Sequence, residues 1–124
     1  LQDIELSDIS LFIDDAVATS SCNLTNADLT NATLYEVDLH GADLAGAKLN
    51  GADLTGGNLW RANLLEVKLN GANLTNAFLE EANLSYATYD PKTAWPTADY
   101  WNDTTCPDGT NSNDPGNAAC GFNV

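Results

Sequence analysis

The sequence predicts an all-β solenoid, a narrow stack of square coils with just over three turns of repeat. Three observations carry that expectation. Leucine recurs at every fifth position without a break: Leu24, Leu29, Leu34, Leu39, Leu44, Leu49, Leu54, Leu59, Leu64, Leu69, Leu74, Leu79 and Leu84. A small or short-branched residue stands two places before each leucine, from Cys22 and Ala27 through Val37 and Gly57 to Ala82. The remaining places hold mostly Asp, Asn, Thr, Gly and Lys.

A period of five matches neither the α-helix, at 3.6, nor the strand, at 2.0. It fits a coil in which each unit forms one side of a square and the chain turns at every corner. Leucine and the small residue then point inward as the structural core, and the other three residues point out. The second inward place must be small because a narrow coil cannot hold two large side chains per side. Asn, Asp and Gly suit the corners. Successive coils lie about 4.8 Å apart, where backbone groups of neighbouring coils hydrogen-bond.

Three segments follow along the chain. Residues 1–21 form an N-terminal cap, because a stack of coils leaves bare backbone and leucine at its ends. Ile9, Phe12, Ile13, Ala16 and Val17 keep helical spacing after Ser7, a possible N-cap, which predicts a capping helix over about 8–18. The rival is a decayed coil, since Ile4 and Ile9 keep the beat before Asp14 and Thr19 break it. Residues 22–88 are the repeat, and 89–124 are a C-terminal capping tail. In that tail Cys106 and Cys120 flank a Gly-, Asn-, Asp- and Pro-rich loop without a core of its own. A disulfide between them would close about 15 residues, contributing about 3 kcal/mol on the chain-entropy model, and would imply an oxidising compartment. Cys22, at an inward small place, reads as a buried free thiol. Pro91 and Pro96 extend the segment carrying Trp95, Tyr100 and Trp101, which then lies along or across the last coil and covers it.

Composition narrows the function. The 124 residues carry 18 acidic and four basic side chains, a net charge of −14. That disfavours direct binding of nucleic acid or of an anionic membrane surface, and suits a basic protein partner or imitation of a nucleic acid's charge. No apolar run is long enough to span a bilayer. The chain opens on Leu1, which predicts a processed or excised product and fits a removed export signal. Five Asn-X-Ser/Thr sequons, at Asn23, Asn31, Asn73, Asn83 and Asn102, mostly follow from the phase of the repeat and say little about glycosylation.

The units "ADLTN", "ADLAG" and "ANLTN" resemble the A-(D/N)-L-x-x signature of the pentapeptide-repeat family over residues 22–88. The tail stretches "YDPKTAWP" and "TTCPDGTNSNDPGNAAC" resemble the segment that follows the repeats in bacterial, notably cyanobacterial, members. The resemblance implies a right-handed quadrilateral β-helix. It says little about function, since most members have no assigned activity.

The chain lacks a nucleophile motif, a glycine-rich phosphate loop and a metal-ligand cluster, and we expect no enzyme and no cofactor. Asp108, Asn111, Asn113 and Asp114 are oxygen donors at close spacing, the weak candidate set for calcium. The run lacks the order and the distal Glu of a calcium loop, and such residues also simply make turns.

Every twentieth residue should stack, since four sides make a coil. One column then holds Asp28, Lys48 and Lys68; another holds His40, Trp60 and Glu80. Beside the latter lie Asp38, Asn58 and Phe78, then Gly41, Arg61 and Glu81. Trp60 and Phe78, ringed by His40, Arg61 and Glu80, form the expected interaction face, with hot-spot composition for a protein partner. The plainer reading has the tail or the cap packing over it.

Two functions follow: a scaffold exported to the periplasm, the thylakoid lumen or the exterior, monomeric or weakly dimeric, that binds another protein; or an acidic DNA mimic. The family resemblance supplies the second, since relatives that protect DNA gyrase work in that way. The short rod and the disulfide-bearing tail argue against it.

Overall fold

Each five-residue unit turns one corner. The N–H three residues after a repeat leucine donates to that leucine's carbonyl, from Ala27 on Leu24 at 2.9 Å to Ala87 on Leu84 at 2.9 Å. The residue two after leucine has positive φ throughout: Asn26, Asn31, Glu36, Gly41, Gly46, Gly51, Gly56, Arg61, Glu66, Gly71, Asn76, Glu81 and Tyr86. Positive φ at the third residue of a hydrogen-bonded turn is the type II pattern, and Gly and Asn tolerate it best. The five larger residues there hold a conformation that disfavours a Cβ by about 1–2 kcal/mol.

This computed structural model describes residues 22–97, 100–113 and 118–121. The helix expected over 8–18 lies outside the described residues. Between corners, the residue before each leucine pairs in parallel with its counterpart one coil on. The first side pairs Asn23, Asp43, Asn63 and Asn83; the second, Asp28, Lys48, Lys68 and Thr88. The third pairs Thr33, Asp53 and Asn73, and the fourth Asp38, Asn58 and Phe78. The interval is 20 residues on every side, so four units close one coil.

The preference for Asp and Asn before leucine has a local cause. Their side-chain oxygen accepts the N–H two residues on, as Asn23 does from Thr25 at 3.0 Å and Asp53 from Thr55 at 3.0 Å. This satisfies an amide at the corner that the coil-to-coil ladder leaves over. Between coils the same side chains stack, with Asn63 Nδ2 donating to Asp43 Oδ1 at 3.0 Å.

Inside, the leucines from Leu29 to Leu84 are buried, as are the alanines and valines of the small place from Ala32 to Ala82. Cys22, Leu24 and Ala27 pack on this core while partly exposed. Gly57 takes the small place above Val37, whose Cγ1 lies 3.6 Å from where a Cβ would stand. Val37's extra carbons therefore take up the room that Gly57 leaves.

The tail covers the last coil by continuing its path. Ala94 pairs with Asn73 and Thr105 with Asn83, at intervals of 21 and 22 residues. Trp101 replaces leucine at its corner: Leu79 N–H donates to Tyr100 O at 3.0 Å, Thr104 N–H to Trp101 O at 3.0 Å, and Asp103 takes φ 55°. Cys106 replaces the next, with Leu84 N–H on Thr105 O at 2.8 Å and Gly109 N–H on Cys106 O at 2.8 Å. At the small place, Thr93 and Thr104 turn their hydroxyls onto Leu69 O at 2.8 Å and Leu79 O at 2.6 Å. Trp101 is 1% exposed, its indole N–H donating to Pro96 O at 3.2 Å. A disulfide joins Cys106 to Cys120, the latter in a short 3-10 helix, Ala118–Gly121, and Cys22 is free.

Candidate functional site

The fourth side is where an aromatic ring enters the position before leucine. Asp38 Oδ1 accepts His40 N–H at 3.2 Å and Asn58 Oδ1 accepts Trp60 N–H at 3.2 Å, the usual corner arrangement. Asn58 Nδ2 donates to Asp38 Oδ1 at 3.1 Å. One coil further on, Phe78 holds this position with no side-chain acceptor to offer and is 42% exposed. Tyr100 follows Phe78 in the tail coil and meets it edge to face, ring centroids 4.9 Å apart.

Beside this column His40 and Trp60 stack, with centroids 4.6 Å apart and planes 24° apart. Trp60 is half-buried rather than fully outward, and the Arg61 guanidinium carbon lies 4.4 Å over its ring. Arg61 Nε donates to Glu81 Oε2 at 2.7 Å in the next coil. Donation from Arg61 chiefly, helped by the Trp60 side chain, holds the Glu81 carboxyl below the usual range. A ladder thus runs along the coil axis: imidazole, indole, guanidinium, carboxylate.

Asn58, Trp60, Phe78 and Glu80 line an open, mainly apolar cleft of about 280 Å³. His40, Trp60, Arg61, Phe78 and Glu80 therefore occupy the fourth side and its corner over three successive coils. Among the described residues the tail borders this face through Tyr100 and contributes nothing to the lining of the cleft. Tyr100 is absent from the expected face because 22 residues, not 20, separate it from Phe78. The sequence signal for Phe78 was present, an aromatic at a place where Asp and Asn predominate.

The other candidates are turn and ladder residues. Asp108 Oδ1 accepts the N–H and hydroxyl of Thr110 at 3.0 and 2.6 Å, which holds its carboxyl below the usual range. Asn111 Oδ1 accepts Asn113 N–H at 2.8 Å, and Asn113 Nδ2 donates to Asn102 and Asp103 at 3.1 and 2.8 Å. Asp114 lies outside the described residues. Lys48 pairs with Asp28 at 3.4 Å in the second-side column. Among the described residues no three His, Cys, Asp or Glu side chains are grouped as metal ligands, and no helix is long and apolar enough to cross a membrane.

A family model described as pentapeptide repeats matches residues 22–61 and 62–88, in eight copies. No curated protein matches the sequence. Among solved structures, the pentapeptide repeat protein Rfr23 of the cyanobacterium Cyanothece 51142 is 40% identical with a TM-score of 0.69. The match covers 77% of this chain and 59% of Rfr23, so this chain spans less than two thirds of that relative. A pentapeptide repeat protein of the Arabidopsis thaliana thylakoid lumen is 23% identical over 91% of this chain and 86% of its own, with a TM-score of 0.32. QnrB1, a plasmid-mediated fluoroquinolone resistance protein, is 16% identical over 69% of this chain and 56% of its own, with a TM-score of 0.44. The last two likenesses are too loose to carry an argument. The fold that the family model and the likeness to Rfr23 give is the right-handed quadrilateral β-helix.

Proposed function

The chain belongs to the pentapeptide-repeat family, and from that premise we propose that it is a non-catalytic scaffold that binds another protein through the face around Trp60. The observation that carries this reading is the aromatic strip His40, Trp60, Phe78 and Tyr100, laid over four successive coils beside an open cleft. Phe78 forgoes the corner hydrogen bond that Asp or Asn would make there, and exposes a ring instead. Aromatic rings beside an arginine are the composition of interface hot spots.

We place the protein in an oxidising compartment, on the support of the Cys106–Cys120 bond. The segments 1–21, 22–88 and 89–124 serve this reading as cap, repeat and covering tail. The measurement is a pull-down from native extract with wild type, Trp60→Ala and Tyr86→Ala, the last an exposed aromatic at a different corner. Wild type and Tyr86→Ala should recover the same partner and Trp60→Ala should lose it. Equal recovery by all three removes the face.

The net charge of −14 favours one second reading, an acidic mimic of DNA acting on a DNA-binding protein such as gyrase. Against it stand the disulfide and, among the described residues, a rod of about 19 Å, five layers at about 4.8 Å. Inhibition of gyrase supercoiling at micromolar protein would favour the mimic.

A further inference from the structure

The Trp60 cleft also indicates what the partner presents. Of its four lining residues two are polar, and they differ in what they have left to offer. Asn58 uses both ends of its amide within the coil stack, its Oδ1 accepting Trp60 N–H and its Nδ2 donating to Asp38. Glu80 is different. Among the described residues its carboxylate has no hydrogen-bond or ion-pair partner, while its neighbour Glu81 is taken up by Arg61. The corner thus carries two adjacent glutamates, one neutralised within the protein and one left facing the cleft.

We propose that this cleft receives a lysine side chain from a basic partner protein, its methylenes lying on Phe78 and Trp60 and its ammonium on the Glu80 carboxylate. The proposal rests on the reading that this face binds a protein, and adds the chemistry of contact. Three properties match. The mainly apolar lining suits a four-carbon stem, since lysine buries its methylenes and keeps its charge at the rim. The volume of about 280 Å³ lies just under the range of drug-sized ligand sites, about 300–1,000 Å³, and takes a single side chain. The net charge of −14 draws a basic partner towards the chain from any direction, and Glu80 fixes where it docks. Arginine fits less well. Glu80 is the one charged side chain of the lining, and a guanidinium brings five donors to satisfy.

The test is an amide-resolved NMR titration of the intact chain at about 0.15 M salt, where diffuse attraction is screened beyond about 8 Å. Two ten-residue peptides serve as probes, one carrying three lysines and one with the same lysines acetylated. The lysine peptide should shift the amides of Asn58, Trp60, Phe78 and Glu80 and saturate, and the acetylated one should not. Glu80→Gln should weaken binding about ten-fold, the loss of a charge-assisted contact, while Glu66→Gln at another corner leaves it unchanged. Three outcomes overturn the proposal: equal weakening by both variants, which means diffuse attraction; equal binding of the acetylated peptide, which means a merely apolar groove; or no shift at these four residues. Loss of the pulled-down partner by Trp60→Ala alongside any of the three leaves the protein-binding face standing and removes the lysine.

Discussion

The repeat coils and the tail coil follow one backbone path with two vocabularies. At Trp101 and Cys106 the tail closes its corners with the repeat's hydrogen bond, from the third residue on to the residue at the inward place, whereas after Tyr89 the bond runs from Thr93 N–H to Asp90 O. The repeat fills the inward place with leucine and spaces its bridges by 20; the tail fills it with Trp101 and Cys106 and spaces them by 21 and 22. A repeat coil inside the stack has a neighbour above and below, so each of its inward leucines meets another. Among the described residues the tail coil pairs with no coil beyond it, and it closes the core itself. A ring broad enough to cover the coil's centre, two threonine hydroxyls on carbonyls and a disulfide do so. The fold tolerates this change of residues because backbone pairing, not side-chain identity, sets the path.

Truncating the two inward anchors tests that contrast most severely. Trp101→Ala should lower stability by about 3–5 kcal/mol and Leu54→Ala by about 2–5 kcal/mol, since a narrow coil cannot collapse around either gap. Denaturant midpoints measure both. The variants should also differ in kind: Trp101→Ala uncovers the end of the stack and should speed amide exchange first in Leu79 and Leu84. A Trp101→Ala midpoint equal to wild type would mean that the tail coil is not part of the core. Removing the second device, by Cys120→Ser, opens the loop between Cys106 and Cys120. The expected loss is about 3 kcal/mol on the chain-entropy model, read as a lower midpoint that reducing agent leaves unchanged in the variant and reproduces in wild type.

The same contrast decides what could be read from the sequence. Every column of the repeat, Asp28 with Lys48 and Lys68 or His40 with Trp60, follows from counting by 20, because no insertion disturbs the phase between Cys22 and Thr88. One inserted residue before Ala94 and a second before Thr105 end that arithmetic, so Tyr100 could not be placed over Phe78 by counting. Burial of the tail aromatics was legible from composition; that Trp101 sits in a leucine's place was not. Positive φ at the corners was half-hidden, since glycine and asparagine announce it at eight places while Glu36, Arg61, Glu66, Glu81 and Tyr86 do not. The ring stack on the fourth side depends on side-chain rotamers, which no periodicity specifies.

Smaller effects probe the corners. Glu66→Gly should raise stability by up to about 1 kcal/mol, relieving a Cβ held at φ 56°, offset in part by the entropy glycine loses on folding. Gly41→Ala should lower it by about 1–2 kcal/mol through φ alone, because a Cβ there meets nothing within 4 Å. Gly46→Ala should do more, since its Cβ would run into Asn26 Oδ1 in the coil below. In the tail, Thr104→Val removes the hydroxyl from Leu79 O, and about 1 kcal/mol should go with that bond. Equal losses at Gly41 and Gly46 would mean that Asn26 swings aside without penalty.

Acidity gives the smallest effect, and the two regions share it. Asp28 and Glu81 in the repeat, and Asp90 and Asp108 in the tail, are held below their ordinary values. For Asp28 the Thr30 hydroxyl contributes most; for Glu81 it is Arg61, and for Asp108 the Thr110 hydroxyl. Burial pulls Asp90 upward, but N–H groups of Gly71, Lys92 and Thr93 and the Thr93 hydroxyl outweigh it. A lowered carboxyl binds fewer protons folded than unfolded, so these groups stabilise the fold above their unfolded values, about 4, and that contribution fades as pH falls through the folded ones. The thermal midpoint should stay level from pH 7 to 5 and drop below. All four groups reach solvent, so 1 M salt should flatten the contribution of the ion-paired Asp28 and Glu81 more than that of Asp90 and Asp108. Asp90→Asn separates the regions: it removes acceptor charge where the tail's side chain takes over the Gly71 amide from the coil ladder. That variant should lose part of the acid-dependent drop. A midpoint that rises on acidification would reverse the sign and remove these carboxylates from the account of stability.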